Sequence, residues 1–215
     1  MNYLSHALPF LDRPYFVAGV SVPDWLMVAD RRVRIRSKHA EAFLNDEDPV
    51  VAEVAAGVLQ HLRDDARFHE TRAFAETVLQ LTVRVRDALA GEPGMRPAFL
   101  GHLLAELLLD AALMAEDASQ LSTYYEVLDQ LDARQVEAAV NRIAPRSTGR
   151  LAAFIELFRR GRVLWDYRED GTLMTRLNQV LRRVGLEPLP DEFVSLLPAA
   201  RKLVAERKGE LLGVP

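Results

Sequence analysis

Two stripes of histidine and carboxylate are where this chain could do chemistry. His61, Asp65 and His69 are spaced i, i+4, i+8, and so are His102, Glu106 and Asp110. At about 100° per residue, such a triplet drifts only about 80° over roughly 12 Å, so on a helix each set lines one face. The second set interrupts Phe99–Met114, which is apolar nearly all the way round, the pattern of a helix buried in a core. The first set continues the apolar row Val51, Val54, Val58 and so leaves its helix on the core-facing side. Imidazoles and carboxylates in an apolar wall are costly unless something pairs them. Either stripe alone could be the one wet face of its helix. Two phased stripes point instead to a metal, because helical bundles build metal sites from such side chains projecting inward. Neutral imidazole with ionised carboxylate suits zinc, manganese or iron better than calcium, which wants oxygens only.

Composition narrows the donors. The 215 residues include no cysteine, so any ion must be held by the five histidines (His6, His39, His61, His69, His102) and by carboxylates. A formal net charge of -4 argues against a nucleic-acid surface covering the whole protein, though not against a local basic patch. The one dense basic run, Arg31-Arg32-Val33-Arg34-Ile35-Arg36-Ser37-Lys38, is either solvated surface or a place to meet an acidic partner or a phosphate. The start of the chain lacks a basic stretch followed by an apolar one, and no apolar run reaches ~18 residues free of charge, so the expectation is a cytoplasmic protein with no transmembrane segment.

The elements that must position these residues read as helices. The periodicity predicts them at roughly 49–69, 71–90, 96–117, 119–131, 133–143, 148–166, 171–184 and 190–208, with breaks at Gly91-Glu92-Pro93-Gly94, 145–149, Asp170-Gly171 and 185–190. Pro9 and Pro14 keep the first eleven residues from forming a long helix, and Pro23 is suited to a first helical turn with Asp24 as a helix-start carboxylate. No strand-like alternation appears. The expected fold is all-α: a single-domain bundle of about eight to ten helices with a buried metal site. Residues 1–145 would form the metal-binding core and 146–215 a C-terminal helical extension packed on it. The apolar C-terminal helices would complete that core or make a homodimer interface.

The chemistry follows from the donors. Two divalent ions roughly 3.5–4 Å apart lower the pKa of a bridging water and clamp both oxygens of an in-line phosphoryl displacement. Asp65, Glu106 and Arg63 are the candidates for catalytic roles. Arg63 or Arg67 could offer a fork to the phosphate, or serve as a surface ion pair. Asp64, about 100° round the helix from Asp65, reads as exterior. Asp110 would be an outer ligand or would orient His102 or His69. Tyr3 and Trp25 read first as core and second as pocket lining. No Gly-x-Ser-x-Gly elbow and no Gly-rich loop followed by Lys-Ser/Thr is present.

Two resemblances attach to these residues. Met1-Asn2-Tyr3-Leu4-Ser5-His6, the Gly19-x4-Asp24 pair, the segment from Gly57 to His61-x3-Asp65-x3-His69, the acids Glu106 and Asp110, and the stretch from Leu181 through Ala200 resemble the acyl carrier protein phosphodiesterase (HD-like) family. The order His6, Asp24, His39, His61-x3-Asp65, His69, His102-x3-Glu106 is similar to the ligand order of zinc-dependent phospholipase C and the zinc-dependent single-strand nucleases. The second resemblance implies an all-helical enzyme with up to three zincs. One would be held by Asp24, His39, His61 and Asp65; another by His69, His102 and Glu106, with Asp65 bridging; a third by His6. Together they imply a metal-dependent phosphodiester hydrolase using a metal-bridged water, two or three divalent ions (zinc first, manganese or iron next), and an acyl carrier protein or a phospholipid head group as substrate. The alternative is a non-catalytic helical binding protein whose histidines and acids form a structural metal site or a buried polar cluster.

Overall fold

The computed structural model describes residues 1–90, 92 and 94–213. It is all-helical, with no strand among the described residues. In chain order the helices are α1 (Tyr3–Ala7), α2 (Pro14–Ala29), α3 (Ser37–Glu41), α4 (Pro49–Glu70), α5 (Arg72–Ala88), α6 (Pro97–Glu116), α7 (Ala118–Asp129), α8 (Ala133–Ile143), α9 (Leu151–Gly161), α10 (Asp170–Arg183), α11 (Leu197–Glu206) and α12 (Lys208–Leu212). Short 3-10 turns occupy Leu8–Phe10, Val163–Tyr167 and Asp191–Leu196. The count exceeds eight to ten because three five-residue helices, α1, α3 and α12, are too short for periodicity to reveal.

Local chemistry accounts for the boundaries. Thr71 Oγ1 accepts from the Phe74 N–H at the start of α5, and Asp132 Oδ1 accepts from the Arg134 and Gln135 N–H groups at the start of α8. Prolines open α2, α6 and α11, where their missing N–H has no intrahelical partner to lose. Pro23 corrects the expectation of a helix start: it lies inside α2, and Asp24 is not a first-turn acid. The helix runs through the lost hydrogen bond because Val17, Val20, Val22, Trp25 and Leu26 on both sides of it are buried. The stretch expected as one helix over 148–166 ends at Gly161, where Arg162 turns left-handed at φ 46°. Arg162 is held there by Asp129, 2.6 Å away, and by the Tyr125 ring under its guanidinium. Gly91 and Pro93 of the expected break between α5 and α6 lie outside the described residues.

The chain divides into two compact units, each drawn from two separate segments, so neither coincides with 1–145 or 146–215. The first comprises Met1–Ala66 and Ser119–Arg162. Its core holds Trp25, Tyr124 and Tyr125, with Phe158 of α9 meeting Tyr3 at 4.9 Å and Trp25 at 5.7 Å between ring centres. Tyr3 and Trp25 are therefore core residues. Within this unit α2 and α4 cross at two glycines. A Cβ on Gly57 would stand 2.3 Å from the Phe16 carbonyl oxygen, and one on Gly19 would stand 2.5 Å from that of Val54. Only glycine allows the backbones so close.

The second unit comprises Arg67–Ala118 and the chain from Val163 onward. Helix α6 lies along α5, where Gly101 approaches the Thr82 backbone, and α11 packs on α6. By length and composition α6 could cross a membrane, but most of it is buried inside this unit, with Leu100, Leu104, Leu108 and Leu109 wholly enclosed. Ion pairs tie its C-terminal helices down: Arg201 to Asp170 at 2.6 Å, Arg207 to Glu76 at 2.8 Å, and Lys208 to Glu116.

Candidate metal centres

The first unit brings together His6 of α1 with His61 and Asp65 of α4, their donor atoms all within 4.8 Å of one another. His6 and His61 are 1% and 3% exposed, and their rings stack with centres 4.2 Å apart. The glycine crossing sets this geometry. It brings α2 close enough for the Val20 carbonyl to accept a 2.8 Å hydrogen bond from His61 Nδ1. A carbonyl can only accept, so Nδ1 carries a proton, and Nε2, 3.5 Å from Asp65 Oδ2, is the nitrogen left to face a metal. Such a bond from the far ring nitrogen is how metal-binding histidines are oriented. His6 donates from Nδ1 to Asp64 at 3.4 Å, while its Nε2 lies 3.3 Å from Asp65 Oδ1 without being aligned on it as a hydrogen bond.

Charge in this group is unusual. Burial alone would lower the His6 pKa, but the Asp64 and Asp65 carboxylates outweigh it and push the imidazole up to about 9, with Asp24 adding in the same sense. Burial would likewise raise Asp65, yet the adjoining His6 and His61 imidazoles and the Met1 amino group, 2.8 Å from Oδ1, hold its carboxyl far below the usual range. Two carboxylates, Asp64 and Asp65, thus stand within 3.4 Å of one buried imidazole, an arrangement that favours positive charge there.

The second unit brings together His69, at the end of α4, with His102 and Glu106 one turn apart on α6. His69 Nε2 and His102 Nε2 both donate to Glu106 Oε1, at 3.2 and 3.1 Å. Phe74 fixes both imidazoles, its ring centre 4.8 Å from His69 and 5.1 Å from His102, with Phe68 behind at 4.6 Å. Unlike the first group, this one is open: the His69 and His102 side chains are 36% and 42% exposed. Burial would raise the Glu106 pKa, but the two histidine hydrogen bonds win and push it down to about 2.

Each donor set could hold a metal ion. A tetrahedral ion with bonds of about 2.0–2.1 Å holds its ligands about 3.3–3.4 Å apart. The nitrogen–oxygen separations are 3.1–3.2 Å in the open group and 3.3–3.5 Å in the buried one. Each group is two histidines and one carboxylate, which leaves coordination positions for water.

Other expected site residues fall elsewhere. His39 stays at the exposed start of α3, where its Nδ1 accepts from the Arg36 N–H, and it joins neither group. Asp24 acts on His6 through its charge but is outside the three-donor set. Asp110 is wholly buried, because the drift of the stripe turns the third position of α6 into the core. Arg63 is exposed and makes no ion pair among the described residues. Asp64, read as exterior, instead faces His6 and also accepts from Gln60 Nε2 at 2.8 Å. Its proximity to Asp65 was the available signal, but nothing in the α4 pattern says that α1 docks on that flank. No protein-family model, curated protein or solved structure matches the chain.

Proposed function

We propose that the protein is a metal-dependent phosphoester hydrolase, with His69, His102 and Glu106 holding the reactive ion. One observation carries the reading: three metal-type donors converge within 4.8 Å at a position that solvent reaches. Two histidines and a carboxylate with open positions is a donor count that catalytic zinc sites use. A divalent ion there would activate water and neutralise the charge that gathers on phosphoryl oxygens. Glu106 keeps its negative charge at any physiological pH, and its carboxylate aligns both imidazoles toward one point. Phe68 and Phe74 keep the ring planes from turning away. Phosphodiesters and phosphomonoesters are the substrate class; an acyl carrier protein and a phospholipid head group are the two that the resemblances imply.

The burial of His6 and His61 favours a structural role for the other group, whose two imidazoles solvent does not reach. A protein in which both groups are structural is the competing reading. The test is turnover of bis(p-nitrophenyl) phosphate and p-nitrophenyl phosphate by protein loaded with zinc or manganese. The proposal expects turnover that chelator abolishes and that His102→Ala and Glu106→Gln remove while the helical circular dichroism is unchanged. A folded, metal-loaded sample that hydrolyses neither ester overturns it.

A further inference from the structure

Residues 30–36 connect α2 to α3 as a pinned segment, a turn at Arg31-Arg32 closed by the Val33 N–H on the Asp30 carbonyl at 2.9 Å and then a non-helical run to Arg36. Arg36 has extended backbone angles, and burial alternates from residue 32 to 36: Val33 and Ile35 are buried in the first unit, while Arg32, Arg34 and Arg36 are exposed. Asp30, itself buried and 3.3 Å from the Thr148 hydroxyl, fixes one end and pairs with Arg32 at 3.1 Å. Arg31, Arg34, Arg36 and Lys38 are exposed and have no ion-pair partner among the described residues. A chain of net charge -4 therefore presents four unneutralised cations within eight residues, on a frame anchored by two buried side chains rather than on a free loop.

A second feature immediately precedes them in the chain. Met27 and Val28, on the last turn of α2, are 55% and 39% exposed, and Val28 stands three residues before Arg31. Arginines beside exposed apolar side chains match the boundary between anionic head groups and acyl chains. Single-stranded nucleic acid, the other polyanion such a run could meet, is gripped by cations interleaved with exposed aromatic rings. None of the large exposed hydrophobics among the described residues is aromatic.

We infer that this segment docks the protein on an anionic membrane surface, with Arg31, Arg34, Arg36 and Lys38 against lipid phosphates and Met27 and Val28 reaching below them. The docking requires no metal and is independent of the hydrolase reading.

The test is co-sedimentation of the full chain, stripped of metal by chelator, with phosphatidylcholine vesicles and with vesicles that also contain phosphatidylglycerol. Binding is expected only to the anionic vesicles, and it should vanish near 1 M salt, where the Debye length falls to about 3 Å. Each basic side chain near such a surface is worth about fivefold, so Arg34→Gln with Arg36→Gln should weaken binding about thirtyfold. Met27→Ser should weaken it further and leave the salt dependence unchanged. All three side chains are exposed, so the fold is expected to survive, checked by circular dichroism. Equal binding to both vesicle types, or an unaffected double arginine variant, overturns the inference. So does an oligonucleotide that binds more tightly than the anionic vesicles with the same dependence on Arg34 and Arg36.

Discussion

Gly57→Ala probes the link between helix packing and the buried histidines. The new Cβ would stand 2.3 Å from the Phe16 carbonyl oxygen and 2.8 Å from both the Gly19 Cα and the Val20 nitrogen. All three are backbone atoms of α2, so no side chain can swing aside. Restoring an ordinary 3.4 Å contact requires α2 and α4 to part by about 1 Å. His61 lies one turn further along α4, so its 2.8 Å hydrogen bond to the Val20 carbonyl would open to nearly 4 Å and be lost. Overpacking costs about 1–3 kcal/mol and an orphaned buried donor about 1–3 more, against which alanine returns at most ~1 kcal/mol of helix propensity. The expected net loss is about 3 kcal/mol, a melting temperature lower by about 6–12 °C in a chain of this size. Zinc affinity of the buried group should fall about 10–100-fold, since His61 loses the partner that orients it. Thermal unfolding followed by circular dichroism, a competitive zinc titration and the proton resonance of His61 Nδ1–H report the three effects. Gly171→Ala is the control: nothing lies within 4 Å of its Cβ position, so it should be neutral or stabilising by up to ~1 kcal/mol. A Gly57→Ala protein as stable as the parent, with the His61 resonance unmoved, would refute the reasoning.

In chelator-treated protein, His6 should titrate near 9 by NMR, and because this pKa is raised above 6.5, its stabilisation is complete below pH 6.5 and disappears as pH rises through 9. That loss, about 3 kcal/mol by urea unfolding, should be absent from His6→Gln; a midpoint below 7 contradicts it. Glu106 behaves in the opposite sense: its pKa is depressed from 4.5 to about 2, so its contribution of about 3 kcal/mol is present above pH 4.5 and fades as pH falls through 2. Acid unfolding of Glu106→Gln should lack that component, and an unchanged acid transition would remove the paired carboxylate from the account. Phe158→Ala removes the ring that Tyr3, Trp25, Tyr125 and Phe154 all meet and should cost about 3–5 kcal/mol; a loss below ~1 kcal/mol would mean the cluster is not packed as described.

Features that depend on one helix were legible in the chain. Apolar spacing and flanking breakers located α4 and α8 within a residue, and the i, i+4 rule placed His61 with Asp65 and His102 with Glu106 on shared faces before any fold was known. What joins those pairs to His6 and His69 is tertiary, and periodicity is silent on it. The same limit misplaced Asp64, whose flank of α4 is wet or covered according to where α1 docks. His39 was counted by residue type and order, but its ring is engaged by the backbone at the start of its own short helix. Gly161 and Pro198 carry local signals for the end of α9 and the start of α11, whereas the left-handed turn falls on Arg162, which tertiary contacts hold and no local signal marks. The division into two interleaved units rests on contacts far apart in sequence and has no compositional mark.

The central claim, that two separate groups each hold a divalent ion, is tested most directly by metal content. The protein would be purified without chelator or polyhistidine tag, soaked in zinc or manganese, desalted and measured by elemental analysis beside His61→Ala and His102→Ala. The account predicts about two equivalents in the parent and about one in each variant, because each substitution removes a donor from one group and leaves the other intact. Less than about a tenth of an equivalent in the soaked parent, with all three proteins folded, would contradict it and leave both groups as hydrogen-bonded polar clusters.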